Sequence, residues 1–225
     1  MSSHHIQPTP GVRRLPSYLR VLKAAKVRGE RFISCTKIAD ALGRQSVLVR
    51  KDLSVTDVMG RPKVGYQIDE LIEAIESYLG WDQKTIAFLF GVGNLGAAII
   101  NYAGFAAHGL EIVEVFDANP RLVGQVINGH TIRNPEEAPA LARDFRRDYG
   151  KDVDLGIVTV PSFAAQGVAR ILADAGIRAI WNYAPTTLDV PETTICENVK
   201  LSESFAVLTW RMKARDDEES QDSGA

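Results

Sequence analysis

Two sets of residues in this chain have the types and spacing to do chemistry: a run of glycines and a cluster of cations. Gly91-Val92-Gly93-Asn94-Leu95-Gly96 directly follows the apolar segment 85–90 and opens a helical pattern, the context that gives G-x-G-x-x-G its meaning. Gly91 permits a tight turn, Gly93 removes the side chain where a pyrophosphate must approach the backbone, and Gly96 lets helix and strand pack closely. The start of the helix turns N–H groups and a partial positive charge toward phosphates. Asp117 ends the next apolar segment, 21 residues beyond Gly96, where a carboxylate accepts hydrogen bonds from a ribose diol. No arginine follows it at once, Arg121 standing four residues on, so a 2′-phosphate would meet Asp117's charge; the pattern favours NAD(H) over NADP(H).

The cations lie elsewhere. Residues 1–66 hold 13 Lys/Arg against four acids, whereas the remainder holds 13 against 24, so the net charge of −2 conceals a basic head on an acidic body. Such polarity joins a polyanion-seeking region to one that repels polyanions. The elements needed to present these cations are legible. Residues 16–31 form an amphipathic helix with Pro16 in its first turn and Tyr18, Leu19, Leu22 and Ala25 at helical spacing. A short helix capped by Ser34 or Thr36 runs through Ile38, Ala39 and Leu42 to Gly43, and a third starts near Gln45 or Ser46 and passes Val49 and Leu53. Two short helices around a glycine-containing turn form a helix-turn-helix, and the second member with the turn before it carries Arg44, Gln45, Ser46, Arg50 and Lys51 toward a major groove. The stretch 59–66 has turn residues between short extended pieces, as in a β-wing, and puts Arg61 and Lys63 within reach of phosphates. A helix over 69–79, stopped by Gly80, closes a first domain of residues 1–80.

From Lys84 onward short apolar runs alternate with helical patterns, the signature of βαβ units around a parallel sheet. The expected order is strand 85–90, helix 94–107, strand 112–116, helix 135–149, strand 153–160, helix 161–175 and strand 178–181, a doubly wound Rossmann-like α/β domain over 81–200. A helix follows over 201–215 with Phe205, Leu208 and Met212 on related faces, and the acidic, aperiodic residues 216–225 read as disordered. No apolar stretch approaches the ~20 residues of a spanning helix and the polar start has no signal-peptide core, so the expectation is a cytoplasmic protein with no membrane partner. Cys35 and Cys196 lie far apart and read as buried small hydrophobes, and no metal-ligand spacing is present. His108 and His130 read as surface residues, which leaves no proton donor for hydride transfer; the chain is expected not to be an enzyme.

Several motifs occur together and in order: Val49-Arg50-Lys51-Asp52-Leu53-Ser54, Val64-Gly65-Tyr66, Gly91 to Gly96, Asn101-Tyr102 with Gly104-Phe105, and Phe116-Asp117. They continue with Thr159-Val160-Pro161, Asn182-Tyr183-Ala184-Pro185 and Glu197-Asn198-Val199. Over about residues 13–200 the chain resembles the Rex family of redox-sensing transcriptional repressors. The resemblance implies a homodimer whose winged helices bind palindromic operator DNA, whose Rossmann domains sense NADH against NAD+, and which NADH releases from DNA. It also implies that the C-terminal helix is exchanged between subunits. By position, Arg50 and Lys51 would contact operator DNA, and Gly91–Gly96 would hold the pyrophosphate with Asp117 on the adenosine ribose. Arg14, Arg44, Gln45, Ser46, Arg61 and Lys63 are further candidates to face DNA, Arg61 and Lys63 flanking Pro62, where the family carries its wing arginine. Tyr102, Thr159, Val160, Pro161 and Asn182–Pro185 would complete the cofactor site toward the nicotinamide.

The chain departs from the family pattern at Lys200, where the family carries an aspartate that switches between an arginine matching Arg20 and a tyrosine matching Tyr102. A cation there cannot pair with Arg20, which leaves open a Rex-like paralogue with altered or lost NADH switching. Two further alternatives are a small NAD-dependent or CoA-binding enzyme and a structural or partner-binding protein that has lost its ligand, against which the intact glycines and Asp117 argue.

Overall fold

The computed structural model describes residues 10–222. The described chain divides into two units, one running up to Lys84 and including Gly104–Gly109, the other made of Thr85–Ala103 and the chain from Leu110 onward.

In the first unit, α1 (Leu15–Val27) has proline in its first turn and buries Leu15, Tyr18, Leu19, Leu22 and Ala25 along one face. Full burial of a side chain such as Leu22 stabilises by roughly 1.5–3 kcal/mol. α2 (Cys35–Leu42) starts at Ser34, whose hydroxyl accepts the Lys37 N–H (3.1 Å), and ends at Gly43. α3 (Ser46–Leu53) follows after Arg44 and Gln45, so the two helices and their turn make the helix-turn-helix. Short strands β1 (Phe32–Ile33) and β2 (Tyr66–Gln67) pair antiparallel. The expected wing over 59–66 is a tight loop closed by one bridge between Arg61 and Gly65, with Arg61 N–H donating to the Gly65 carbonyl at 2.8 Å. α4 (Ile68–Tyr78) completes the core with Ile68, Leu71, Ile72 and Ile75.

The second unit is a seven-stranded sheet in the order β5-β6-β4-β3-β7-β8-β9. Its strands are β3 (Thr85–Phe90), β4 (Leu110–Phe116), β5 (Val126–Ile127), β6 (His130–Arg133), β7 (Leu155–Val158), β8 (Ala179–Asn182) and β9 (Ile195–Asn198). All pairings are parallel except β5 with β6. The chain leaves β3 to one side through β4 and returns to the other through β7, so the order reverses at the carboxyl end of β3, where an open α/β sheet forms its crevice. Phe88, Phe90 and Phe116 are fully buried beneath it, the last two stacked at 4.6 Å.

Several expectations are corrected. The helix expected over 94–107 is two, α5 (Asn94–Ile100) and α6 (Ala103–Ala106), because the Asn101 side-chain amide turns back onto the Ala97 carbonyl (2.8 Å) and competes with helix continuation. The segment 104–109 clusters with the first unit, not the second. His130 opens β6 after a turn in which Asn128 and Gly129 both have positive φ (46° and 84°), the two-residue turn that matches hairpin twist. The 135–149 helix begins as a 3-10 turn, capped by Asn134, before α7 (Ala138–Tyr149). α8 spans Ser162–Asp174. The final helix, α9 (Leu201–Asp222), extends seven residues into the stretch read as disordered, since neither glycine nor proline interrupts it before Gly224; residues 223–225 lie outside the described residues.

Candidate nucleotide cradle and nucleic-acid face

The glycine turn sits at the crevice. Gly91 has φ +97°, and a Cβ there would meet the Thr159 carbonyl at 2.9 Å; at Gly96 it would lie 2.0 Å from the Gly91 carbonyl oxygen. Neither position tolerates a side chain. Gly93 differs: nothing lies within 4 Å of where its Cβ would stand, so an open approach to the backbone is left there. The first bond of α5 is Ala97 N–H to the Gly93 carbonyl (2.9 Å), and the N–H groups ahead of it have no acceptor within the helix. The Thr159 hydroxyl, just past β7, lies within hydrogen-bond distance of the Phe90 and Gly91 carbonyls (2.9 and 2.7 Å) and ties the turn to the neighbouring strand.

Asp117, half-buried at the end of β4, accepts the N–H of Val92 (2.8 Å) and of Asn119 (2.8 Å). Its carboxylate is thus bonded directly to the glycine turn. Val92 lies in the same turn, Asn94 and Leu95 open α5, and Val160 and Pro161 continue the chain from Thr159 toward α8.

Farther along the same edge, Asn182 is wholly buried and shapes the next segment. Its amide nitrogen donates to the Thr186 carbonyl and the Asn198 side-chain oxygen (both 2.8 Å), while its oxygen accepts the Ala184 N–H at 3.0 Å. Tyr183, Ala184 and Pro185, with Asn198 and Lys200, line a cavity of about 570 Å³. Burial pushes the Tyr183 phenol up to about 12, so it stays a neutral hydroxyl at cellular pH. Lys200 is exposed and donates to Glu203 (2.8 Å), which raises its ammonium pKa. Arg20 is exposed on α1 in the first unit, whereas Tyr102, exposed between α5 and α6, and Lys200 belong to the second.

In the first unit Arg44, Gln45, Arg50 and Lys51 are exposed along the α2–α3 turn and α3, with Ser46 at the start of α3. Arg50, Arg61 and Lys63 meet Ser34, Thr36 and Tyr66 around a groove of about 400 Å³. Lys63, at the tip of the wing loop, has φ +63°, and the Arg61 guanidinium stands over the Phe32 ring at 5.5 Å. The polar groups of Ser34, Thr36 and Tyr66 were not legible as site residues; the capping role of Ser34 was, its place beside Arg61 was not.

Arg14 departs from its expected role. Its Nε and Nη2 both donate to the Asp52 carboxylate (2.6 Å each), so the guanidinium faces α3 from within the unit rather than joining the exposed cations. Two further expectations are corrected. His108 is half-buried, stacked on Trp81 at 3.9 Å, with Nδ1 enclosed and without a hydrogen-bond partner among the described residues. Burial lowers its imidazole pKa, and the nearby Lys23 adds to the effect. Cys196 is only partly buried, unlike Cys35. Among the described residues no cluster of His, Cys, Asp and Glu is arranged to hold a metal, and no helix is long and apolar enough to cross a membrane.

Residues 82–186 match the family model described as "CoA binding domain", and residues 8–54 the one described as "Putative DNA-binding protein N-terminus". The chain is 40% identical to the redox-sensing transcriptional repressor Rex of Bacteroides thetaiotaomicron, covering 91% of this chain and 90% of that protein. The chain belongs to the Rex family. Rex of Treponema denticola is 37% identical, covering 96% of this chain and all of the relative. Among solved Rex-family structures, RSP in complex with β-NAD+ and operator DNA superposes with a TM-score of 0.83 at 32% identity, covering 97% of this chain and 98% of that one. RSP in complex with β-NADH superposes with a TM-score of 0.80 at the same identity, covering 96% and 98%. The likeness spans both units, so the winged helix and the doubly wound sheet are those of a Rex repressor.

Proposed function

We propose that this Rex-family chain is a DNA-binding transcriptional repressor that senses the NADH/NAD+ balance, holding palindromic operators and leaving them when NADH binds. The observation that carries the reading is the pairing, in one chain, of an exposed cation set on a helix-turn-helix with a glycine cradle bonded to Asp117. The cradle residues fit a dinucleotide: the backbone is open at Gly93, and the Asp117 carboxylate stands beside it, bonded to the Val92 N–H. Bound there, NAD(H) would supply the difference between a charged and a neutral nicotinamide ring. Gly91–Gly96 would hold the pyrophosphate, Asp117 the adenosine ribose, and Tyr102, Thr159–Pro161 and Asn182–Pro185 the rest. Arg44, Gln45, Ser46, Arg50, Lys51, Arg61 and Lys63 would meet the duplex.

The working form is a cytoplasmic homodimer. Phe205, Leu208 and Met212, which share one face of α9, are more than half exposed in the single chain, an apolar stripe that supports exchange of this helix with a second copy. Paired recognition helices then match grooves about one helical turn, ~34 Å, or a multiple apart. The effector must bind the DNA-competent and DNA-released arrangements unequally, or it shifts nothing.

Titration of labelled palindromic DNA with the protein, repeated with NADH and with NAD+ at fixed salt, tests this. NADH is expected to release the DNA at lower concentration than NAD+; identical curves overturn sensing, and steady turnover of NADH with a carbonyl substrate overturns the non-enzymatic reading. A second reading rests on Lys200, a cation paired with Glu203 where the family carries a carboxylate. It makes this chain a paralogue with altered switching. In the same titration Lys200→Asp is expected to widen the separation between the NADH and NAD+ curves, and unchanged curves would remove Lys200 from the switch.

A further inference from the structure

Tyr18 is wholly buried and cannot touch a duplex, yet its hydroxyl is bonded to the helix that carries Arg50 and Lys51. The shared acceptor is Asp52, 5% exposed, which takes Arg14 Nε and Nη2 at 2.6 Å and the Tyr18 hydroxyl at 2.5 Å. We propose that Arg14 and Tyr18 are positioning residues for operator reading, clamping Asp52 so as to fix the rotation of α3 about its own axis and with it the direction of Arg50 and Lys51. The inference rests on the DNA-binding reading and assigns no DNA contact to either residue.

α3 has eight residues, too few to be stable alone, and its N-cap Gln45 makes no side-chain capping bond. Its buried residues are Val49, Asp52 and Leu53. Apolar contacts through Val49 and Leu53 are non-directional and tolerate a small roll. Arg50, Lys51 and Asp52 are consecutive, so their directions differ by about 100° per residue, and fixing one fixes the others. A roll of about 20° moves a side-chain tip about 6 Å from the axis by roughly 2 Å, more than base-edge hydrogen bonds tolerate. Three donors converging on one carboxylate, with Arg14 bidentate, resist that roll as no apolar contact can. A buried ion pair adds little net stability over apolar packing, but it adds direction. The carboxylate is ionised: the Arg14 hydrogen bonds hold its pKa below the ordinary value against the opposing effect of burial. Tyr18 stays protonated, its phenol pushed up to about 12 chiefly by burial.

The test compares Tyr18→Phe, which alters no charge, with Arg14→Gln and Arg14→Lys in the full chain. Affinities for operator and for random-sequence duplex are measured across salt, with thermal melting and NADH titration alongside. Tyr18→Phe is expected to weaken operator binding about fivefold, the effect of one net hydrogen bond, while leaving random-duplex affinity, both salt slopes and NADH affinity unchanged. Arg14→Gln is expected to weaken operator binding further with the operator salt slope retained, and Arg14→Lys to recover part of the loss. Wild-type operator affinity in Tyr18→Phe overturns the proposal. So does a slope shallower by about 0.9 in Arg14→Gln, the mark of a lost phosphate contact. If Arg14→Gln melts below the assay temperature, Tyr18→Phe decides alone. Failure of the unaltered chain to bind any palindrome overturns the repressor reading itself and is distinguished by appearing before any substitution is made.

Discussion

The head and the nucleotide unit prepare their functional groups in opposite ways. The head displays side chains: cations stand in solvent on α3 and the wing, and one buried carboxylate is clamped behind them. The cradle works by removing them: Gly91 and Gly96 have no room for a Cβ, and Gly93 has room that it leaves empty. A binding surface made of charges should degrade gradually when one charge is lost. One made of missing atoms should fail abruptly when an atom is added.

Gly96→Val should do the most damage. Its Cβ would fall 2.0 Å from the Gly91 carbonyl, and overpacking of this kind costs about 1–3 kcal/mol. Thermal melting should show that loss, with NADH binding abolished in calorimetry; a stable, binding-competent variant would break the comparison. Gly93→Ala separates cradle from fold. With nothing within 4 Å of the new methyl and an ordinary negative φ, the melting temperature should hold while NADH affinity falls about tenfold, ~1.4 kcal/mol. Retained affinity would show that no ligand approaches the backbone there.

Lys51→Ala tests the gradual side of the contrast. Operator binding should weaken several-fold and its salt dependence should lose about 0.9 in slope, with NADH affinity unchanged. An unchanged slope would take Lys51 off the contact surface. The smallest effect belongs to His108. Its pKa is lowered in the folded protein, so the unfolded chain binds the proton more readily, and stability should decline as pH falls below about 6.5 toward the folded value. His108→Phe should flatten that part of the melting-temperature profile. Lys23 and Glu76, which form their own pair at 2.6 Å, are the charged neighbours acting on it.

What the sequence made legible follows from the same contrast. Glycine spacing after an apolar run locates the turn beside Asp117, because the backbone constraint is local: Gly91 and Gly96 have no room for a Cβ. The helix-turn-helix is equally local, with Ser34 capping one helix and Gly43 ending it. Pairings across long separations left no trace. Arg14 and Asp52 are 38 residues apart, and nothing in spacing distinguishes Arg14 from the exposed cations around it. β9 was missed because its four residues alternate exposed and half-buried at a sheet edge, without the continuous apolar run of β3. The β5–β6 hairpin carried an Asn-Gly signal at 128–129, but the flanking apolar runs were too short to prompt a strand assignment. His108 read as a surface residue because its enclosure depends on Trp81, which lies 27 positions earlier.

The segment 104–109 belongs with residues that precede Lys84, although the first strand of the sheet, 85–90, lies between them in the chain. A gene fragment cut after Lys84 would therefore encode an incomplete module, with Trp81 deprived of its stacking partner. Recombination that moved this head onto another sensor would keep that stack only by carrying along a short piece of the sensor's own chain.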